Sequence, residues 1–446
     1  MRRGDAAARL DPQYQELDRR KRAYYASPLY PLVSLGTLAT FIQYGISERA
    51  NTSGQGVPMI RMNNLQAHGW DFTELKHIDL DKQDLDRYRL IKGDLLFNRT
   101  NSKELVGKCE VFQEDGDWVF ASYLIRVRLN AEQALPEFVS AFLNSPAGRI
   151  QIDQVSRQVA GMSNVNAEEL RALQIPLPRI TEQRRLAAEL DAARTERDRA
   201  LAKAERLLGS IDEMVKQMLG LPDLELHPQA GYAIRLSTAK ASSTLSADYF
   251  HPERMQAIKL IQRVPNAPLS RLVQFKRDII KSPGESRYIG LASVASGTGQ
   301  LTDATETAAG QCFAFSPGDV LYGRLRPYLN KVWLATFEGV SSTEFHVMRP
   351  FDADSLRPEY LAVVMRTGLI VAQTKHMMTG NTHPRIANED VVNLLVPLAD
   401  PATQAHIVEE TLARQAESAR LRAHAGTVWR EARERFEQQL LQGGKA

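Results

Sequence analysis

Cysteine is almost absent. Cys109 and Cys312 are the only two in 446 residues, which excludes a disulfide framework and a cysteine-rich metal site. No stretch approaches the ~20 consecutive apolar residues a membrane span requires. The start "MRRGDAAARL" is basic but lacks the apolar core of a secretory signal. The expectation is therefore a cytoplasmic protein with no membrane contact. Charge of one sign is also scarce: 56 Lys and Arg against 53 Asp and Glu leave +3. Arg2, Arg3, Arg9, Arg19, Arg20, Lys21 and Arg22, set against Asp5, Asp11, Glu16 and Asp18, account for that whole excess. Binding to a polyanion would have to rely on local patches.

Catalytic signatures are missing as well. There is no phosphate-cradling G-x-x-x-x-G-K-[ST] loop, no G-x-G-x-x-G and no G-x-S-x-G elbow, and the nine histidines lack metal-ligand spacing. "SGTGQ" (296–300) reads as a loop, and the lone "ELK" (74–76) is only half of a nuclease carboxylate–lysine motif. The expectation is a non-catalytic chain that holds neither cofactor nor metal.

What is present is an internal repeat. "KGDLLFNR" (92–99) returns as "PGDVLYGR" (317–324). The match extends co-linearly: "PLVSLGTL" faces "PLSRLVQF", "VPMIRMNNL" faces "SRYIGLASV", and "VGK" (106–108) faces "LNK" (329–331). Further on, "LPEFVSAFLNSPAG" faces "RPEYLAVVMRTGLI", "VAGMSNVNAEEL" faces "MTGNTHPRIANED", and "IPLP" with Gln183 faces "VPLA" with Gln404. "RLDPQYQ" has a loose echo in "SADYFHPE". Such a series means two copies of one unit. Each copy alternates β-branched and aromatic residues between Gly, Asp and Asn turns, then enters a helix near 136–154 or 358–376.

Each copy ends in a long helical segment. From Thr181 to Leu219 there is no proline, and apolar residues fall at 186, 190, 193, 200, 204, 207, 211, 214 and 218, a coiled-coil seam interrupted by Arg197. At ~1.5 Å per residue this helix measures roughly 55–60 Å. Its counterpart, near 402–441, carries Ile407, Leu412, Leu421, Ala425, Val428, Ala432 and Phe436 on one face. The expected fold class is α+β: two tandem-repeat, strand-rich domains separated by two long antiparallel coiled-coil helices. The expected boundaries are a basic segment at 1–28, a first domain at 29–178, a central helix at 179–220, a second domain at 221–400 and a C-terminal helix at 401–446.

In the repeated motif, Gly-Asp reads as a turn and the apolar letters as a buried strand, with Leu95/Phe97 and Val320/Tyr322 on one face. Arg99 and Arg324 end those strands where polar loops begin. The loops offer Asn101, Lys103 and Lys108 in the first copy and Arg326 and Lys331 in the second. Arg61, Asn63 and Asn64 follow another strand, while Ser163 and Asn164 occupy the position that Asn381, Thr382, His383 and Arg385 hold in the second copy. Arg and Asn on a strand scaffold suit base edges and phosphates. The same asparagines also suit turns, and the same Ser and Asn suit helix caps.

The doubled "GD-x-L-x-x-R" and the junction "IPLPRITEQRRLAAEL" resemble the specificity subunit of type I DNA restriction–modification systems over essentially the whole chain. The second copy departs from the pattern, because "VPLADPATQAHI" lacks the Glu-Gln-Arg run. The resemblance implies two target-recognition domains that contact the halves of a bipartite, asymmetric site in double-stranded DNA. It implies paired helices that set the unread spacer and dock two DNA methyltransferase (modification) subunits, with S-adenosylmethionine on those partners, and a restriction/translocase subunit that joins them in phage defence. Other readings stay open: an equivalent adaptor in a methylation-based defence complex without that restriction subunit, an enzyme with a fused recognition module, or a coiled-coil scaffold whose strand-rich ends bind protein.

Overall fold

A computed structural model describes residues 12–441 except 27, 67–68, 103–104, 160–161, 225–230, 241–245, 282–283, 309 and 381. Lys103 and Asn381 lie outside the described residues. The chain divides into two units, one of residues 1–200 with 423–446 and one of residues 201–422.

The first unit is built on an antiparallel sheet in the order β2 (Ala39–Tyr44), β7 (Leu124–Leu129), β4 (Leu95–Asn98), β6 (Cys109–Val111), where β1 is Leu32–Ser34, β3 is Val57–Ile60 and β5 is Thr100–Asn101. The alternation of "LLF" sends Leu95 and Phe97 into one core and Leu96 into another. The first core is closed by α2 (Pro136–Leu143) and α3 (Pro146–Val155). β1 pairs with β9 (Gln174–Pro176), which places the "IPLP" strand beside the domain's entry, and β5 pairs with β8 (Met162–Asn164). α1 (Pro12–Tyr24) leads to Tyr25, whose hydroxyl donates to the Ala147 carbonyl of α3 at 2.9 Å.

The second unit repeats this frame. Its sheet runs β11 (Val273–Lys276), β16 (Phe345–Pro350), β13 (Val320–Gly323), β14 (Val332–Leu334), where β10 is Asn266–Pro268, β12 is Cys312–Phe315 and β15 is Gly339–Ser342. β10 pairs with β18 (Leu395–Pro397), as β1 does with β9. β17 (Arg385–Ile386) touches Leu325, at the position where β8 meets β5 in the first unit. Even the loose echo near the start has a structural counterpart, because α6 (Pro252–Ile261) packs on α8 (Gly368–Thr374), much as α1 neighbours α3.

Two expectations need correction. The helix near 136–154 is two helices, because Ser145 caps α3 by accepting from Gly148 N–H and Pro146 opens it, and proline favours a first turn over an interior. The counterpart is likewise split into α7 (Pro358–Val364) and α8, with residues 365–367 between them and Thr367 at the N-cap of α8. The central helix is also not continuous to Leu219. α4 covers Ile180–Gly209 and α5 covers Ile211–Met218, with Ser210 between them. The Ser210 carbonyl and hydroxyl both accept from Arg414 Nη1, at 3.0 and 2.6 Å. At 30 residues, α4 is roughly 45 Å long.

α9 (Pro401–Leu441) is one helix of 41 residues, roughly 60 Å. Its contacts with α4 run antiparallel within each unit. In the first unit Arg185 meets Gln439 and Glu196 meets His424, while in the second Ser418 Oγ donates to the Ala204 carbonyl. Leu186, Leu190, Ala193, Ala200 and Ala204 are buried as the seam requires. Arg197 does not break that seam. It is only 3% exposed, with its guanidinium 4.6 Å from the Trp429 ring centroid, a geometry in which a cation is held by the ring's quadrupole. Among the described residues, no helix is long and apolar enough to cross a membrane.

Candidate nucleic-acid interface

The Gly-Asp pair is scaffold in both units. Gly93 and Gly318 adopt φ +89° and +87°, conformations glycine reaches without strain. The turns deliver Asp94 and Asp319 to fully buried positions. Asp94 accepts from Ile91 N–H and from Arg128 Nε and Nη2 at 2.7 and 2.8 Å. Asp319 accepts from Ser316 N–H, from Arg349 Nε at 2.6 Å and from Lys276 Nζ at 2.9 Å. A buried carboxylate needs such partners.

Beyond this shared frame, the first unit brings Arg61, Asn63, Asn64, Asn101 and Lys108 to the wall of one cavity of about 450 Å3, with Gln66, Asp71 and Asn98. Their roles differ. Asn63 is exposed, whereas Asn64 is buried and holds the loop together: its Oδ1 accepts from Arg61 N–H, and its Nδ2 donates to the Asp71 and Glu74 carbonyls. Arg61 Nη2 reaches the Glu74 carbonyl at 3.4 Å. Asn101 Oδ1 accepts from Ser102 N–H. Burial, and then the charge of Arg149, push the Lys108 ammonium below its ordinary pKa, which favours an incoming anion as partner. Arg99 lies over the Tyr44 ring at 4.9 Å. Ser163 is buried, and Asn164 Oδ1 accepts from Thr100 Oγ1 at 2.6 Å.

The second unit gathers a different set on the loops that follow β13 and precede β17. Arg326 N–H donates to the Pro384 carbonyl and Arg326 Nη2 to the Thr382 carbonyl, so the 325–331 and 382–385 loops lie side by side. Arg326, Thr382 and His383 are exposed. Arg385 is forked onto Glu344, with Nη2 to Oε1 at 2.6 Å and Nε to both oxygens at 3.0 Å. Arg324 Nε stands 4.0 Å from the same carboxylate. Lys331 is committed to structure, since its Nζ donates to the Leu291 and Val294 carbonyls at 2.6 and 2.8 Å. Arg326 and Asn330 both adopt left-handed φ, +48° and +52°, on either side of exposed Tyr328. Strain of this kind clusters at functional loops.

Among the described residues, one cluster has metal-ligand composition: His251, Glu253 and His376. Glu253 already accepts from Lys375 at 2.5 Å and meets His376 Nε2 at 2.8 Å, and the two imidazoles stack face to face at 3.5 Å. The cluster joins the start of α6 to the residues just after α8 through these contacts. A second cavity in the first unit, of about 680 Å3, lies between α2 and the long helices and shares Gln66 and Lys108 with the first.

Glu344, Tyr44, Gln66 and Tyr328 carried no short-range sequence signal. Glu344 stands far along the chain from the arginine it holds, and Tyr44 meets Arg99 only because β2 and β4 both flank β7.

No family profile matches the chain. It is 28% identical over 193 residues to the type I restriction enzyme EcoKI specificity subunit of Escherichia coli, covering 41% of each chain. It is 25% identical over 177 residues to the putative type I restriction enzyme MjaX specificity subunit of Methanocaldococcus jannaschii, covering 39% of each. Among solved structures it is similar to a type I restriction–modification S subunit from M. genitalium, with 11% identity, a TM-score of 0.48 and coverage of 94% and 97%. The chain spans about two fifths of the length of the curated relatives it matches. It is related in sequence to type I restriction enzyme specificity subunits, as its doubled motif and helix junction suggested.

Proposed function

We propose that this chain is the sequence-reading subunit of a restriction–modification complex, without chemistry of its own, and that its two units contact the halves of a bipartite, asymmetric site in double-stranded DNA. One observation carries the reading. On a common frame, the loops around the repeated strands present different polar side chains: Arg61, Asn63 and Lys108 around one cavity in the first unit, Arg326, Thr382 and His383 from two adjacent loops in the second. Scaffold shared and contacts unlike is what two different half-sites require. The relatives' specificity-subunit names support it.

The paired helices α4 and α9 then set the number of unread base pairs. They also offer a docking surface for two DNA methyltransferase subunits that carry S-adenosylmethionine, and a restriction/translocase subunit completes the complex. The test is selection of bound duplexes from a randomised pool by the full chain with its methyltransferase partners. A split motif with a fixed gap supports the reading, and binding without sequence preference sinks it. Methyl transfer or cleavage by the chain alone would make it an enzyme instead.

A further inference from the structure

Resting on that reading, the contacts of Glu344 add a residue to it. The backbone of Arg324 donates to the Glu344 carbonyl, as that of Arg99 does to the Tyr123 carbonyl. The two positions are therefore equivalent, and only the second unit places a carboxylate there. That carboxylate occupies the Nε and Nη2 edge of Arg385 and stands beside Arg324 Nε. Arg385 Nη1 also donates to the His383 carbonyl at 3.3 Å. Glu344 and the His383 carbonyl thus hold the guanidinium from two sides, the arginine side chain stays 39% exposed, and its neighbours Thr382 and His383 are exposed. In the first unit Arg99 lies against an aromatic face instead.

We propose that Glu344 is a positioning residue for specificity: it fixes Arg385 as a rigid fork, so that the second unit demands a guanine at one base pair of its half-site. An arginine fork matches the two major-groove acceptors of guanine. A fixed fork discriminates better than a mobile one, because the ordering cost precedes binding.

The experiment is duplex selection with the full chain, followed by affinity measurement on single-base variants of the selected site. Wild type is compared with Glu344→Gln, Glu344→Asp and Arg385→Lys, with thermal unfolding of each. Glu344→Gln is expected to lose roughly five- to 150-fold discrimination at one base pair of one half-site, leaving the other half-site and the melting temperature unchanged. Glu344→Asp restores part of it. Arg385→Lys keeps the salt dependence but loses the same preference. If wild type selects a split motif and Glu344→Gln leaves every base preference intact, or weakens all sequences equally while lowering the melting temperature, the inference is overturned. If wild type selects no motif, the underlying functional reading falls with it.

Discussion

Gln404 accepts the Arg357 N–H at its Oε1 and donates from Nε2 to the Ser355 and Ala399 carbonyls, repeating atom for atom what Gln183 does for Leu135, Gln133 and Pro178. Both glutamines are wholly buried. Each ties the start of a long helix to the loop before α2 or α7 of its own unit. The loss of the Glu-Gln-Arg run in the second copy therefore removes surface charge around a retained joint. Replacing Gln404 with Ala strands three backbone groups and is expected to cost at least about 1–3 kcal/mol, read by urea denaturation. An unchanged midpoint would show that water satisfies them equally well.

Asp94 and Asp319 predict the same behaviour in the two units. Substituting either by Ala removes a buried acceptor that holds a turn N–H and a half-exposed arginine, and is expected to destabilise by about 1–3 kcal/mol. Hydrogen exchange would show the loss confined to the unit that carries the change.

Asn63 and Asn64 are adjacent but separable. Asn64→Ala removes three loop hydrogen bonds and should lower stability by about 1–3 kcal/mol. Asn63→Ala touches an exposed side chain, so stability should hold while base preference in one half-site relaxes. Removing the Lys108 charge should weaken binding evenly across sequences and reduce the salt slope by about one.

His346 gives a pH signature. It is 7% exposed, and burial, then Arg324 and Arg277, lower its pKa to about 4. The unfolded chain takes up a proton near pH 6.5 that the folded chain refuses until about pH 4. Stability is therefore full above the unfolded value and falls as pH drops through that window, by on the order of 3 kcal/mol. His346→Phe should flatten the profile between those limits, and a profile with the same slope would assign it to other groups.

The repeat was legible because sheet strands preserve alternation: "GDLLFNR" and "GDVLYGR" each need one face in each of two cores, and β4 and β13 take the same place in their own sheets. The split of the helix after Leu143 was also written in Ser145-Pro146, a cap followed by a first-turn proline. The break at Ser210 was not legible, because the apolar spacing runs through it and Arg414, the residue that caps it, lies on the other helix. Arg197 misled for a related reason, since periodicity treats arginine as polar and cannot foresee a tryptophan beneath it. Among the site residues, Arg61, Asn63 and Lys108 could be nominated by type and position. The commitment of Asn64, Lys331 and Arg385 to internal partners could not, because each partner is a backbone carbonyl or a distant carboxylate fixed only by the tertiary fold.

The proposed spacer role of the helices yields a length prediction. Deleting matched heptads from α4 and α9 shortens each by about 10 Å, which at 3.4 Å per base pair removes about three base pairs from the gap. Half-site sequences should stay the same, and an unchanged gap would refute the ruler.

The central claim is that each unit reads its own half-site. The most direct measurement is footprinting of the full complex on its selected duplex with charge reversal at Arg99 and Lys108. Protection should be lost on one half-site and kept on the other. Equal loss on both halves, or none on either, would contradict it.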